Sequence, residues 1–457
     1  MTKHAIIAAN RFGLGARPGD LDRIGNDSRD WLIDQLRGAN TLRGLPASSD
    51  VIVSVNELRM RRREARDGDD DVVKTYTRRI RQYYVDQVTA RYRNAAATDR
   101  PFAERLVHFW SNHFAVSADK QPIPAIAGLY ENEAIRPNIR GNFADLLKAA
   151  VQHPAMILYL DNQRSIGPGS TLGKRAKRFR PDRALGLNEN LAREILELHT
   201  LGVDGGYTQE DVTSFARVIT GWSIGGANPQ GRFADGEPGH FEFRENIHEP
   251  GAQRVLGKRY SQKGLRQGEA VLHDLARHPA TATFIATKLA RHFVADQPSA
   301  RLVDRLASVY RENDAELLPV YRALVESDEA FDTLVTKYKS PHDFVISAFR
   351  AFDHVPTDGR FVAGALDAMG QTAYRPGSPE GWPDTAEAWG GPDALYKRIE
   401  WSSAVANYAG SRIDPVEVGE AALGSSMSAR TRQSVRRAES VMQGTTLLLA
   451  SPEFQRR

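Results

Sequence analysis

The sequence predicts a mainly α-helical protein, an irregular multi-helix domain with a minor β-ribbon around residues 241–257. Three observations carry this expectation. Apolar residues recur three or four apart over most of the chain, which is the spacing of a helix face and not the alternation of a strand. Strand signals are few, the best being Phe241-Glu242-Phe243 and Arg254-Val255-Leu256 across a Gly/Pro/His-rich connection. Finally, 41% apolar and 26% charged residues in a chain of 457 is globular composition, which excludes global disorder and collagen-like or low-complexity classes.

Taken in order, Trp31 to Leu36 shows the first helical spacing, and Gly38 can end that turn. Residues 51–66 and 72–94 read as a helix hairpin about an acidic turn at 67–71. Tyr76, Ile80, Tyr83, Tyr84, Val88 and Tyr92 form the apolar stripe of its second arm. The surrounding arginines then face solvent, and Glu57, Glu64 and the Asp cluster interrupt them too often for a nucleic-acid surface. Further helices are expected at 101–114, 142–161, 188–201, 209–220, 266–277, 280–295, 300–312, 315–326, 341–353, 393–409 and 430–450. Residues 165–185 show no period and hold Lys174, Arg175, Lys177, Arg178, Arg180 and Arg183, so they read as a mobile basic loop. Two echoes, His153-Pro154-Ala155 and His278-Pro279-Ala280, join helical runs, and Pro at the first helical position explains both. No fixed repeat emerges, so the chain is not a solenoid.

Composition also narrows function. A net charge of +4 is too small at this length to imply a nucleic-acid or membrane partner. The absence of cysteine removes disulfides, zinc ribbons, iron–sulfur sites and thiol nucleophiles. Only Ala5 to Ala9 is apolar at the N-terminus, short of a secretory core, and no stretch suits a membrane span. A cytoplasmic, soluble protein is the default expectation. Gly13-Leu14-Gly15-Ala16-Arg17-Pro18-Gly19 is not a dinucleotide loop, because Pro18 occupies the third glycine position and lacks an amide for a phosphate.

Chemistry is most concentrated in Gly186 to Gly202. At about 100° per residue, Asn190, Glu194 and Glu197 share one helical stripe with Arg193 beside it, opposite Leu191, Ile195 and Leu198. Two carboxylates one turn apart can act as acid and base or as oxygen ligands for a hard cation, while Glu189–Arg193–Glu197 can equally be a surface ladder. His199 lies on the apolar side, where a core histidine competes with a catalytic one. Thr208 and Asp211 make a capping box after the Asp204-Gly205-Gly206 turn, bringing Asp204, Tyr207 and Trp222 toward the two glutamates. The helix carrying His108 and His113 is a second wall. There His113 falls on the apolar face between Phe109 and Trp110, whereas His108 points away with Glu104 and Asn112. Aromatic residues gather again at Tyr374, Trp382, Trp389, Tyr396 and Trp401, either as a ligand platform or as a core plug.

Several segments together resemble one bacterial family: Arg11 to Gly19, His108 to Phe114, Ile135 to Asn138, Gly186 to Val203, Gly205 to Thr208, Thr220-Gly221-Trp222, Ala286 to Phe293 and Gly381 to Asp384. In this order they are similar to domain of unknown function 1800 over nearly the whole chain. The resemblance implies one continuous helical domain spanning 1–457. It also implies a setting near sulfatase- or phosphatase-like hydrolases in polymer or envelope metabolism, and exported relatives would place the protein in the periplasm. Two functions are carried forward. One is a hydrolase or transferase with Glu194 or Glu197 as acid/base and His199 or His113 assisting. The other is a non-catalytic helical protein that binds a glycan or protein through Trp222 and Trp382. In either case Asn190, Arg193, Glu194, Asp204, Tyr207, Trp222 and Asp384 are expected to line one pocket. Cofactor and metal are left open.

Overall fold

The computed structural model describes residues 2–37, 41–64, 70–179, 186–226, 235–332, 337–409 and 413–457. The structure is 63% helical, and among the described residues the strands form two small two-stranded antiparallel ribbons. The expected hairpin is present as Ser48–Glu64 and Asp70–Ala97, with its acidic turn at 67–69 outside the described residues. Its second arm buries Tyr76, Ile80, Val88 and Tyr92, the stripe read from the sequence. The run expected at 142–161 breaks into Phe143–Gln152 and Pro154–Tyr159, and the one at 430–450 into Ala429–Arg436 and Val441–Ala450. His153 and His278 do more than precede a proline. Each Nδ1 accepts the amide two residues on, from Ala155 at 3.1 Å and Ala280 at 3.2 Å, so the imidazole caps the helix.

Two expectations need correction. Residues 165–185 are not a loop throughout, because Thr171–Phe179 is helical, with Ser170 Oγ accepting the Gly173 amide at 3.0 Å; residues 180–185 lie outside the described part. The β structure is two ribbons, and its strands pair with other partners than expected. Phe241–Phe243 pairs with Trp222–Ile224, and Gln253–Val255 with Lys258–Tyr260 across the tight turn at Leu256-Gly257. The Thr208/Asp211 capping box forms as expected, and Asp211 Oδ1 also takes the Leu256 amide at 2.6 Å, tying the second ribbon to the helix.

One apolar core runs through the molecule. Phe12 stacks near parallel on Phe293 and Phe331 and meets Phe102 edge-on, joining the N-terminus to two helices and to the turn that follows Asp328–Ala330. The glycine-rich N-terminal segment turns its Gly13 and Gly15 amides back onto the Ala8 and Ala9 carbonyls and offers its own carbonyls outward. Gly13 C=O accepts from Arg105 Nε, and Gly15 C=O from Arg350 Nε at 2.7 Å. Gly15 has φ +105°, and a Cβ there would stand 2.8 Å from the Ser347 Cβ, so only glycine permits the approach. Three helices carry a wide π turn, at Ala8–Phe12, Glu131–Ile135 and Ile195–Thr200. Among the described residues no helix is long and apolar enough to cross a membrane.

Trp222 sits wholly inside this core, edge-on to Phe241, and a Cβ on Gly268 would come within 2.4 Å of its ring. Trp222→Ala is expected to cost about 3–5 kcal/mol and Gly268→Ala about 1–3 kcal/mol, read as lowered midpoints in urea unfolding.

Candidate functional site

The helix Pro101–His113 has two working faces. Proline occupies its first turn, where its missing N–H costs nothing, and Trp110 and His113 pack into the core. Glu104, His108 and Asn112 fall at i, i+4 and i+8, one stripe on the opposite side. On that stripe Glu104 and His108 are buried and Asn112 is half-buried. His108 and Asn112 border a cavity of about 100 Å³, closed by Arg91 and Tyr92, by His292, by His342 and Asp343, and by Trp382 and Asp384.

Glu104 anchors this wall. It is fully buried and takes both terminal nitrogens of Arg136 at 2.6 Å each. Burial alone would raise its pKa, but the arginine outweighs burial and holds the carboxyl well below its ordinary range. Arg136 also meets Glu131 at 3.3 Å, and Glu131 meets Arg91 at 3.3 Å. His108 Nε2 stands 3.2 Å from Glu104 Oε1, and its Nδ1 is 3.0 Å from His342 Nε2. His342 Nδ1 in turn faces the Tyr92 hydroxyl at 2.5 Å. An ionised Glu104 favours the His108 proton on Nε2. His108 Nδ1 then accepts from His342 Nε2–H, and His342 Nδ1 accepts from Tyr92 O–H. Burial depresses the pKa of both histidines and raises that of Tyr92, so the chain is neutral at pH 7.

A histidine–carboxylate pair forms the facing part. His292 Nδ1 lies 2.6 Å from Asp384 Oδ2 and its Nε2 has no partner. Burial lowers the His292 pKa to about 4 against the pull of Asp384. Asp384 falls to about 2 although burial opposes this, because His292, Lys337 and Arg457 surround it. Lys337 also reaches the Asp384 carbonyl at 2.6 Å and Asp296 at 2.5 Å. Arg457 joins Asp384 to Asp343, with which Arg105 pairs at 3.0 Å. Each arginine lining the cavity thus meets a carboxylate, so the cavity offers hydrogen bonds more than net charge. Asn112 positions the last wall: its Oδ1 accepts the Trp382 amide at 2.8 Å and its Nδ2 donates to the Trp382 carbonyl at 2.9 Å. Gly381, at φ +87°, allows that approach, since a Cβ would stand 2.4 Å from the Asn112 carbonyl oxygen.

The residues singled out from sequence divide between this cavity and other places. Trp382 and Asp384 line it; Asn190, Arg193, Glu194, Asp204, Tyr207 and Trp222 do not. The single convergent pocket expected for them is therefore replaced by two separate groupings and a core tryptophan. Glu194 and Glu197 are half-buried, with Tyr207 donating to Glu197. Burial and the neighbouring Glu197 push Glu194 up to about 7, opposed by Arg193. Arg193 bonds Glu189 at 3.2 Å and Gln209 at 2.9 Å, so the first rung of the surface ladder exists. Asn190 and Asp204 are exposed. His199 is fully buried with neither ring nitrogen partnered, and burial drops its pKa to about 3. His113 is equally buried and bonds the His199 carbonyl at 3.1 Å. The wall facing the cavity is thus the His108 side of its helix, opposite the His113 side favoured by the apolar pattern. Sequence reasoning missed His292, His342, Arg105 and Tyr92 as site residues. Among the described residues no three of His, Asp and Glu converge as metal ligands.

Fold and site together define a helical protein built around a buried histidine–carboxylate–arginine cavity. The family described as "Protein of unknown function (DUF1800)" matches residues 7–456, and the chain belongs to it. No curated protein and no solved structure matches the chain.

Replacing Arg136 by Met would strand the Glu104 carboxylate in the core. A loss of about 3–5 kcal/mol is expected, checked by chemical denaturation at pH 7.

Proposed function

We propose that the protein is a hydrolase or transferase whose catalytic centre is the cavity between His292 and His342. The observation carrying this reading is the His292–Asp384 contact at 2.6 Å, which leaves Nε2 unpartnered on a cavity-lining ring. A carboxylate on Nδ1 fixes the tautomer with a basic Nε2, and burial keeps that ring neutral at pH 7. Nε2 can take the proton of a water, or of an acceptor hydroxyl, as its oxygen attacks an electrophilic centre. Nε2, protonated in that step, then returns the proton to the departing oxygen, while His342 and Tyr92 stay hydrogen-bonded to each other on the facing wall.

The Glu194–Glu197 pair supports a second reading, because a Glu194 carboxyl pushed up to about 7 beside a second carboxylate has the form of an acid/base couple. A panel of p-nitrophenyl esters, phosphates, sulfates and glycosides separates the two. His292→Asn is expected to lower kcat by about 10²–10⁴ with little change in KM, and Glu194→Gln to leave it unchanged. The reverse pattern moves the chemistry to the glutamates. Turnover that survives both substitutions places the chemistry elsewhere, and no turnover across the panel favours a binding protein.

The pH profile gives an independent check. His292 is neutral above its pKa of about 4, so kcat/KM should hold through pH 5–7 and fall as pH drops through 4. With Glu194 as the essential acid, activity would instead decline as pH rises through about 7.

A further inference from the structure

Thr372 lines two spaces at once: the buried cavity, and a broader groove of about 640 Å³ on the outer side of the Gln371–Pro376 segment. The groove lies between the helices Asp70–Ala97 and Gly359–Ala368, and its volume is that of a ligand site. Tyr76, Ile80 and Tyr84 give it an aromatic and apolar floor. Arg81, Arg360 and Arg375 stand against Asp119 and Asp367. Both carboxylates are engaged, Asp119 by Arg375 and Asp367 by the Thr372 hydroxyl at 2.8 Å. Arg81 and Arg360 are exposed, and no ion pair or hydrogen bond from either side chain is described.

We propose that this groove binds an acidic oligosaccharide of the uronate type, with one end of the chain at Thr372. Pyranose rings present apolar faces to tyrosine, and their hydroxyls both donate and accept, which suits a groove mixing guanidinium, carboxylate, amide and hydroxyl groups. Arg81 and Arg360 take the sugar carboxylates as charge-assisted pairs. A nucleic-acid strand fits less well, because Asp119 and Asp367 would face its phosphates. Delivery of the chain end to the cavity rests on the catalytic reading given above; binding in the groove does not.

Gly364 makes the test clean. It lines the groove within a helix, and a Cβ there would meet nothing within 4 Å, so side chains can be added without strain. Calorimetric titration of the full chain with hexagalacturonate should show binding that weakens with salt. Cellohexaose, a neutral hexasaccharide of different linkage, should bind at least about tenfold more weakly, as should the Arg81→Gln/Arg360→Gln variant toward the acid. Gly364→Trp should abolish binding, while Gly364→Ala and His292→Asn retain it. Equal binding of cellohexaose, tighter binding of oligothymidylate, or undiminished binding by folded Gly364→Trp overturns the proposal. Binding without turnover sinks the catalytic reading alone, whereas turnover of small substrates without oligosaccharide binding sinks the groove alone.

Discussion

The buried Glu104–Arg136 pair is the constraint on which the cavity depends. Removing two such ions from water costs several kcal/mol each, recovered only while their geometry is kept. Two contacts of 2.6 Å between a carboxylate and a planar guanidinium admit little movement. Arg136 follows the Glu131–Ile135 turn, Glu104 belongs to the helix Pro101–His113, and Glu131 extends the pairing to Arg91 on the long helix. Three elements distant in sequence are thereby fixed to one another. His108 lies one turn from Glu104 and Tyr92 lies next to Arg91, so the ion pair also sets where the histidine chain can stand.

The opposite wall is organised by a different rule. Asp384 does not rest on one strong partner; it is shared among His292, Lys337 and Arg457, with Asp296 and Asp343 occupying the remaining faces of those cations. Such a network tolerates a shift of charge better than an isolated pair, because each cation has a second carboxylate to lean on. A wall locked by charge on one side and a pair whose proton can move on the other is an arrangement suited to acid–base work. Asn112 holds the Trp382 backbone between them.

Much of the fold was legible because helix periodicity is local. The stripe from Tyr76 to Tyr92 needed no knowledge of its partner, and the Thr208/Asp211 cap lies within four residues. Thr171–Phe179 escaped notice because its apolar stripe is short, only Leu172, Ala176 and Phe179, and lies among the four cations Lys174, Arg175, Lys177 and Arg178. The site was less legible for a physical reason. Polar residues opposite an apolar face ordinarily meet water, so Glu104 and His108 read as an outer surface. They are inside because Arg136, 32 positions on, neutralises the carboxylate. His292 and Asp384 are 92 positions apart, and no spacing rule joins them. Glu194 and Glu197 stood out because their relation is a single helical turn, which is the kind of relation a sequence displays.

The π turn at Ile195–Thr200 has a bearing on how this chain can change over evolutionary time. A π turn holds one residue more than the α turn it replaces, closed here by Thr200 Oγ1 on the Ile195 carbonyl and by Leu201 N on Leu196. The widened turn takes up that residue within one revolution, so deleting it would restore ordinary α bonding and leave the segments on either side nearly in place. What would change is the stretch inside the turn, His199 included, whose side chains would be re-aimed. The same holds at Ala8–Phe12, which aims the Gly13 and Gly15 carbonyls at two buried arginines. Each of these turns is thus a place where the chain carries one residue more than an α helix needs while the segments on either side keep their directions.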